Sequence, residues 1–174
     1  MNVLGLSFYY HDSSAALVVN GVLVAAAEEE RFSRRKHDSG FPGLAIEFCL
    51  KTAGLTLNDV DFIVFYEKPF VKFERMLLTA MSTFPHSAAV FRESMQRWIS
   101  DKLWIKSMMQ RELDVPSSKL LFADHHMSHA ASSYFTSHFQ ESAILTVDGA
   151  GEWSTATLGV GRGNQIEILK ELRF

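Results

Sequence analysis

Cysteine is nearly missing from this chain of 174 residues. The single Cys49 cannot close an internal disulfide, so no feature points to an oxidising compartment. A basic field is missing as well. Seventeen Lys and Arg stand against 20 Asp and Glu, for a net charge of −3 and a pI near 6.1, which leaves nucleic-acid binding without electrostatic support. No apolar run approaches the ~20 residues of a membrane-spanning helix. The opening Met1 to Ser7 lacks a basic n-region, and His11 and Asp12 soon interrupt the apolar run, so no signal peptide is expected. These absences predict a cytoplasmic location, with no nucleic-acid partner and no membrane partner. What is present, 47% hydrophobic and 21% charged residues, suits a soluble globular chain of one domain or slightly more, long enough to bury a substantial core.

Apolar runs at 3–8, 15–19 and 22–28 predict three strands, the last two joined by an Asn20-Gly21 turn. A polar loop over Arg31 to Gly40 follows, then a helix near 43–53, opened by Pro42 and closed by Gly54. Residues 61–66 read as a buried strand, 70–82 and 91–113 as helices, 119–124 as a strand and 125–138 as a helix. The stripe Phe91, Met95, Trp98, Ile99, Trp104, Ile105, Met108 and Met109 follows helical spacing and reads as packing. Residues 143–147, 154–160 and 165–174 read as strands.

The end of the chain resembles its beginning. VLGLSFYYHDSSAALV and AILTVDGAGEWSTATLG share a strand, a polar turn and a small-residue strand. Each is followed by a Gly/Asn turn and a third strand, closing as EEERF in one copy and KELRF in the other. Leu17 falls opposite Leu158, and Arg31-Phe32 opposite Arg173-Phe174 with one residue of slippage. A fixed internal repeat outranks local assignments. It predicts an α/β chain on the duplicated β-β-β-α-β-α plan of actin, sugar kinases and heat-shock chaperones. Residues 1–140 would form the first subdomain and 141–174 the truncated start of the second.

Asp124-His125-His126-Met127-Ser128-His129 carries the strongest chemical signal. On a helix, His125 and His129 share one face and can converge on one ion of Zn, Fe, Ni or Cu. A bare HxxxH is nevertheless more often a satisfied or solvent-facing histidine cluster. Asp148 ends an apolar strand and precedes Gly149, Ala150 and Gly151, which would let backbone N–H groups approach a phosphate; an ordinary Asp-Gly hairpin turn explains the same residues. Tyr10-His11-Asp12-Ser13-Ser14 could supply a general base or a phosphate ligand, though a polar turn is the commoner meaning. In the basic stretch from Arg31 to His37, Lys36 is the favoured contact for an anion, against the alternative of a solvated charge run.

Taken in order, HDSSAAL, EEERFSRRKHDSGFP, DHHMSHAASSYF and LTVDGAGE resemble the amino-terminal region of the O-carbamoyltransferases, which include nodulation-factor and antibiotic-tailoring enzymes. The resemblance implies an actin-like domain related to the enzymes that transfer threonylcarbamoyl to tRNA. It also implies an activity: carbamoyl phosphate and ATP yield carbamoyl-adenylate, whose carbamoyl group passes to the hydroxyl of a sugar or natural product. The family's metal ligands fall on His125, His129 and Asp148, implying iron(II) or a similar divalent ion, with a further acidic ligand from outside this sequence. Its catalytic histidine falls on His11, its carbamoyl-phosphate lysine on Lys36 and its ATP phosphate loop on Gly149 and Gly151. Because the second repeat stops after three strands, residues 1–174 alone are expected to bind metal weakly, to be inactive and to be prone to homodimer formation. A non-catalytic metal- or nucleotide-binding module is the alternative. A sugar-kinase-like or chaperone-like ATPase half has no use for the histidine pair.

Overall fold

The first two expected hairpin strands pair in register from Asn2↔Val19 to Ser7↔Ser14, as β1 (Asn2–Ser7) and β2 (Ser14–Val19). Asn20 and Gly21 both take positive φ, 52° and 83°, which turns the chain back into β3 (Val22–Glu28) with the twist a hairpin needs. The structure, a computed structural model, describes residues 1–10, 12–100, 102–149 and 151–173. His11, Ala150 and Phe174, which carried sequence expectations, lie outside the described residues.

The chain divides into two compact units. One comprises Met1–Tyr66 with Trp104–Phe122, the other Glu67–Leu103 with Ala123–Phe174. The first unit holds a five-stranded sheet in the order β3-β2-β1-β4-β5, with β4 at Phe62–Phe65 and β5 at Leu120–Phe122. β4 runs parallel to both β1 and β5, so three antiparallel strands are extended by two parallel ones, the actin-like α/β arrangement. Leu4, Leu17, Ile63 and Phe65 are fully buried on one face, against Ala45, Ile46 and Cys49 of α2 (Gly43–Ala53) and Met109 of α5 (Ile105–Leu113). Each such side chain contributes roughly 1.5–3 kcal/mol by leaving water. The buried Glu29 carboxylate accepts the N–H groups of Leu44 and Ala45, at 3.2 and 2.8 Å, and so satisfies the first turn of α2. Gly54 closes that helix with φ 64°, donating to Leu50 and Lys51.

Three expectations change. The loop after β3 contains a one-turn helix, α1 (Glu30–Ser33), stopped by Arg34 at φ 60°. The single helix expected over 91–113 is instead α4 (Ala88–Ser100), a 3-10 turn at Lys102–Trp104, and α5. The stripe is divided between the two units: Trp98 packs on Phe73 in the second, whereas Ile105, Met108 and Met109 join the core of the first, and Ile99 and Trp104 are exposed. The helix expected over 125–138 ends early, as α6 (His125–Tyr134). Around its end the hydroxyls of Ser132, Ser133, Thr136 and Ser137 compete for carbonyls the helix would otherwise use.

In the second unit, β6 (Glu141–Val147), β7 (Ser154–Arg162) and β8 (Gln165–Arg173) form an antiparallel sheet in that order. These are the residues expected to begin a second subdomain; α3 (Pro69–Ser82), α4 and α6 belong to the same unit. Its small core joins Ala130 and Tyr134 of α6 to Ile144 and Ile166. Tyr134 fits only because residue 161 is glycine: a Cβ there would lie 2.5 Å from the ring. No helix among the described residues is long and apolar enough to cross a membrane.

Candidate metal centre

Asp124 opens α6 from extended backbone, and the next residue, His125, starts the helix. The four-residue spacing then places the His125 and His129 rings on one face, with their Nε2 atoms 3.1 Å apart. Asp148, just beyond the end of β6, brings Oδ2 to 2.8 Å from His125 Nε2. One donor atom from each of the three residues lies within 4.8 Å of the others. Gly149 donates its N–H to the other carboxylate oxygen, Asp148 Oδ1, at 2.7 Å, which fixes the carboxylate plane.

The electrostatics favour a cation at this point. Burial pushes the Asp148 carboxyl up, but the Gly149 hydrogen bond and the neighbouring His125 and His129 outweigh it and hold it below the usual range. Burial first, and then the charge of His125, lowers His129, so the neutral ring that can ligate a metal is favoured. His125 itself faces acceptors on both edges, with Glu67 Oε2 3.3 Å from Nδ1 and Asp148 Oδ2 and His129 Nε2 at the Nε2 edge. Donor atoms of this kind at these separations could together hold one divalent ion.

His126 is a different kind of histidine. Its Nε2 donates to the Ser154 carbonyl at 2.6 Å, and its Nδ1 accepts from Thr146 Oγ1 at 2.6 Å. Thr146 in turn bonds Thr157, so this buried ring is fully used in tying α6 to the sheet. Gly151 packs against it, since a Cβ there would meet Ser154 O at 2.8 Å and the His126 ring at 2.9 Å. The glycine expected beside a phosphate thus has a packing reason of its own. Lys36 is exposed and belongs to the first unit, as does an exposed cluster in which His37 Nδ1 meets Asp12 Oδ1 at 2.8 Å and the His37 N–H meets Glu30 Oε2 at 2.9 Å.

Two carboxylates escaped the sequence analysis. Glu67 is 3% exposed, ion-paired to Lys72 Nζ at 2.6 Å as well as facing His125. Burial pushes it up, but the His125 hydrogen bond and Lys72 prevail and leave it lowered. Glu152 accepts the Lys68 N–H at 2.6 Å and a backbone hydrogen bond from His125, so it ties the start of α3 to the start of α6. Burial raises its pKa. The available signal was positional: charged residues directly before Pro69, the first residue of α3, and directly after the glycines of the Asp148 loop. A cleft of about 350 Å³ in the same unit is lined by Asp124, His126, Glu152, Ser154, Glu171 and Arg173.

Fold and site together define an actin-like α/β chain with a two-histidine, one-carboxylate cluster at a strand end. The family model described as carbamoyltransferase N-terminus matches residues 2–174, and the chain belongs to that family. It is 48% identical over 182 aligned residues to the uncharacterized protein sll1178 of Synechocystis, covering 99% of this chain and 29% of that protein. Nodulation protein NolNO of Sinorhizobium fredii is 34% identical over 144 residues, 80% of this chain and 19% of its own. The chain therefore spans less than a third of the length of these curated relatives. Among solved structures, YeaZ from Pseudomonas aeruginosa aligns with a TM-score of 0.48 at 16% identity, covering 98% of this chain and 64% of YeaZ. An uncharacterized protein with similarity to peptidase YEAZ from Pseudomonas aeruginosa aligns at 0.44 and 13%, with the same coverage.

Proposed function

We propose that this chain supplies the metal-binding part of a carbamoyltransferase that makes carbamoyl-adenylate from carbamoyl phosphate and ATP and passes the carbamoyl group to a hydroxyl of a sugar or natural product. The observation that carries the proposal is the convergence of His125, His129 and Asp148 in a chain of this family. Those three residues would hold the divalent ion, iron(II) by ligand type, which when bound offsets phosphate charge and polarises phosphoryl oxygens. The chain's own contribution is positional. Glu152 joins the backbone at Lys68 and His125, Gly149 fixes the Asp148 carboxylate, and α6 fixes the separation of the two imidazoles. Such pre-set geometry is what lets a site act on charge without reorganising. The cleft lining carries three carboxylates against Arg173, with His126 already committed, so a phosphate would approach this face accompanied by a cation. Lys36 is proposed to contact carbamoyl phosphate, and His11 to accept the proton of the attacking hydroxyl. The phosphate loop is proposed at Gly149 and Gly151.

The test is to incubate the full-length product of the gene, loaded anaerobically with iron(II), with carbamoyl phosphate and isotopically labelled ATP. Carbamoyl-adenylate that depends on iron and is lost in Lys36→Ala is the expected result. Metal binding without any such product would favour a non-catalytic metal- or nucleotide-binding module.

A further inference from the structure

The edge of His125 that faces away from Asp148 is buried against a carboxylate of its own. Nδ1 lies 3.3 Å from Glu67 Oε2, and that same oxygen is 2.6 Å from Lys72 Nζ. All three groups are well covered, with side-chain exposures of 10% for His125, 4% for Glu67 and 13% for Lys72. The two nitrogens of an imidazole point to opposite edges of the ring, so a carboxylate on Nδ1 cannot also reach an ion held by Nε2. Glu67 is therefore placed to act on the ligand and not on the metal.

We infer that Glu67 is the positioning residue of the metal centre: it holds the His125 proton on Nδ1 and leaves the Nε2 lone pair directed at the ion. The inference rests on the proposed metal site and deepens it. The chemistry is that of a carboxylate–histidine–metal relay, in which the outer carboxylate fixes both the tautomer and the ring orientation and raises ligand basicity. Lys72 has a definite part. It keeps a positive charge on the shared oxygen, so the proton stays on the imidazole and the carboxylate stays ionised. Glu67 stands two residues before Pro69, which starts the helix α3 that carries Lys72, and the intervening Lys68 N–H donates to Glu152.

Two measurements test this, and neither needs turnover. The first is nitrogen NMR of the zinc(II)-loaded protein with labelled histidine. His125 is expected to show a protonated Nδ1 and a zinc-bound Nε2, and zinc on Nδ1 with the proton on Nε2 would overturn the inference. The second is the affinity for iron(II) and zinc(II), by equilibrium dialysis, of wild type beside Glu67→Gln. A loss of about 10–100-fold is expected, with the thermal midpoint of the metal-free variant within a few degrees of wild type. Unchanged affinity in Glu67→Gln would overturn it. So would an affinity loss matched by collapse of the metal-free variant. If wild type binds neither ion, it is the metal reading that falls, whereas equal binding by wild type and Glu67→Gln brings down the role of Glu67 alone.

Discussion

The antiparallel strands β1 to β3 and β6 to β8 share one construction and differ in what covers it. Leu4 pairs with Leu17 in the first, and Leu145 with Leu158 in the second. In each, the register to the third strand shifts directly after the second of these leucines, at Leu17/Val18 and at Leu158/Gly159. The pairing irregularity thus recurs at the same repeat position. Yet Leu4 and Leu17 are 0% exposed beneath α2 and α5, whereas Leu145 and Leu158 are 70% and 42% exposed. Pairing is thus encoded within each repeat, and stability comes from the helices laid over it.

The largest test of that contrast is Leu17→Ala against Leu158→Ala. The first removes a buried side chain and is expected to cost about 2–5 kcal/mol; the second should stay below about 1 kcal/mol, both measured by urea unfolding. Equal losses would mean the two leucines are equally covered. Next in size is Gly161→Ala, whose methyl would collide with Tyr134 and is expected to cost about 1–3 kcal/mol. Gly5→Ala in the first sheet meets its nearest atom, the Ala16 carbonyl oxygen, at 3.8 Å and should be much milder.

The buried carboxylates of the second unit sharpen the comparison through pH. Glu67 is lowered in the folded protein, so its contribution is complete above its ordinary value of 4.5 and is lost as pH falls through the folded pKa. Glu152 is raised, so it opposes folding at neutral pH and that penalty disappears as pH falls through its own folded pKa. Glu67→Gln should flatten the acid limb of the stability curve, while Glu152→Gln should raise stability near neutrality. Unfolding free energies from pH 3 to 8 decide both signs. The smallest effect is expected from the exposed Lys36→Ala, within about 0.5 kcal/mol in stability.

Much of the strand order was legible because the hairpin turns, the alternating runs and the repeat are all short-range signals. The helix break near Lys102 was not, since the periodic stripe says which residues want burial but not that Trp98 and Met109 belong to different units. The histidine spacing exposed His125 and His129, and the strand end exposed Asp148. Nothing local separates His125 from His126: one faces Asp148 and the other is spent on Thr146 and Ser154. Glu67 and Glu152 were hidden for the same reason, being ordinary surface-type residues whose roles arise only from tertiary placement.

The account turns on one further contrast, between the cluster at His125, His129 and Asp148, in which His125 is buried, and the one at Asp12, Glu30 and His37, in which no member is. Elemental analysis after anaerobic iron(II) loading and removal of free metal compares them directly. The account predicts clearly more iron retained in wild type and in His37→Ala than in His125→Ala/His129→Ala, which should keep almost none. Iron that survives the double substitution, or that departs with His37, would contradict it.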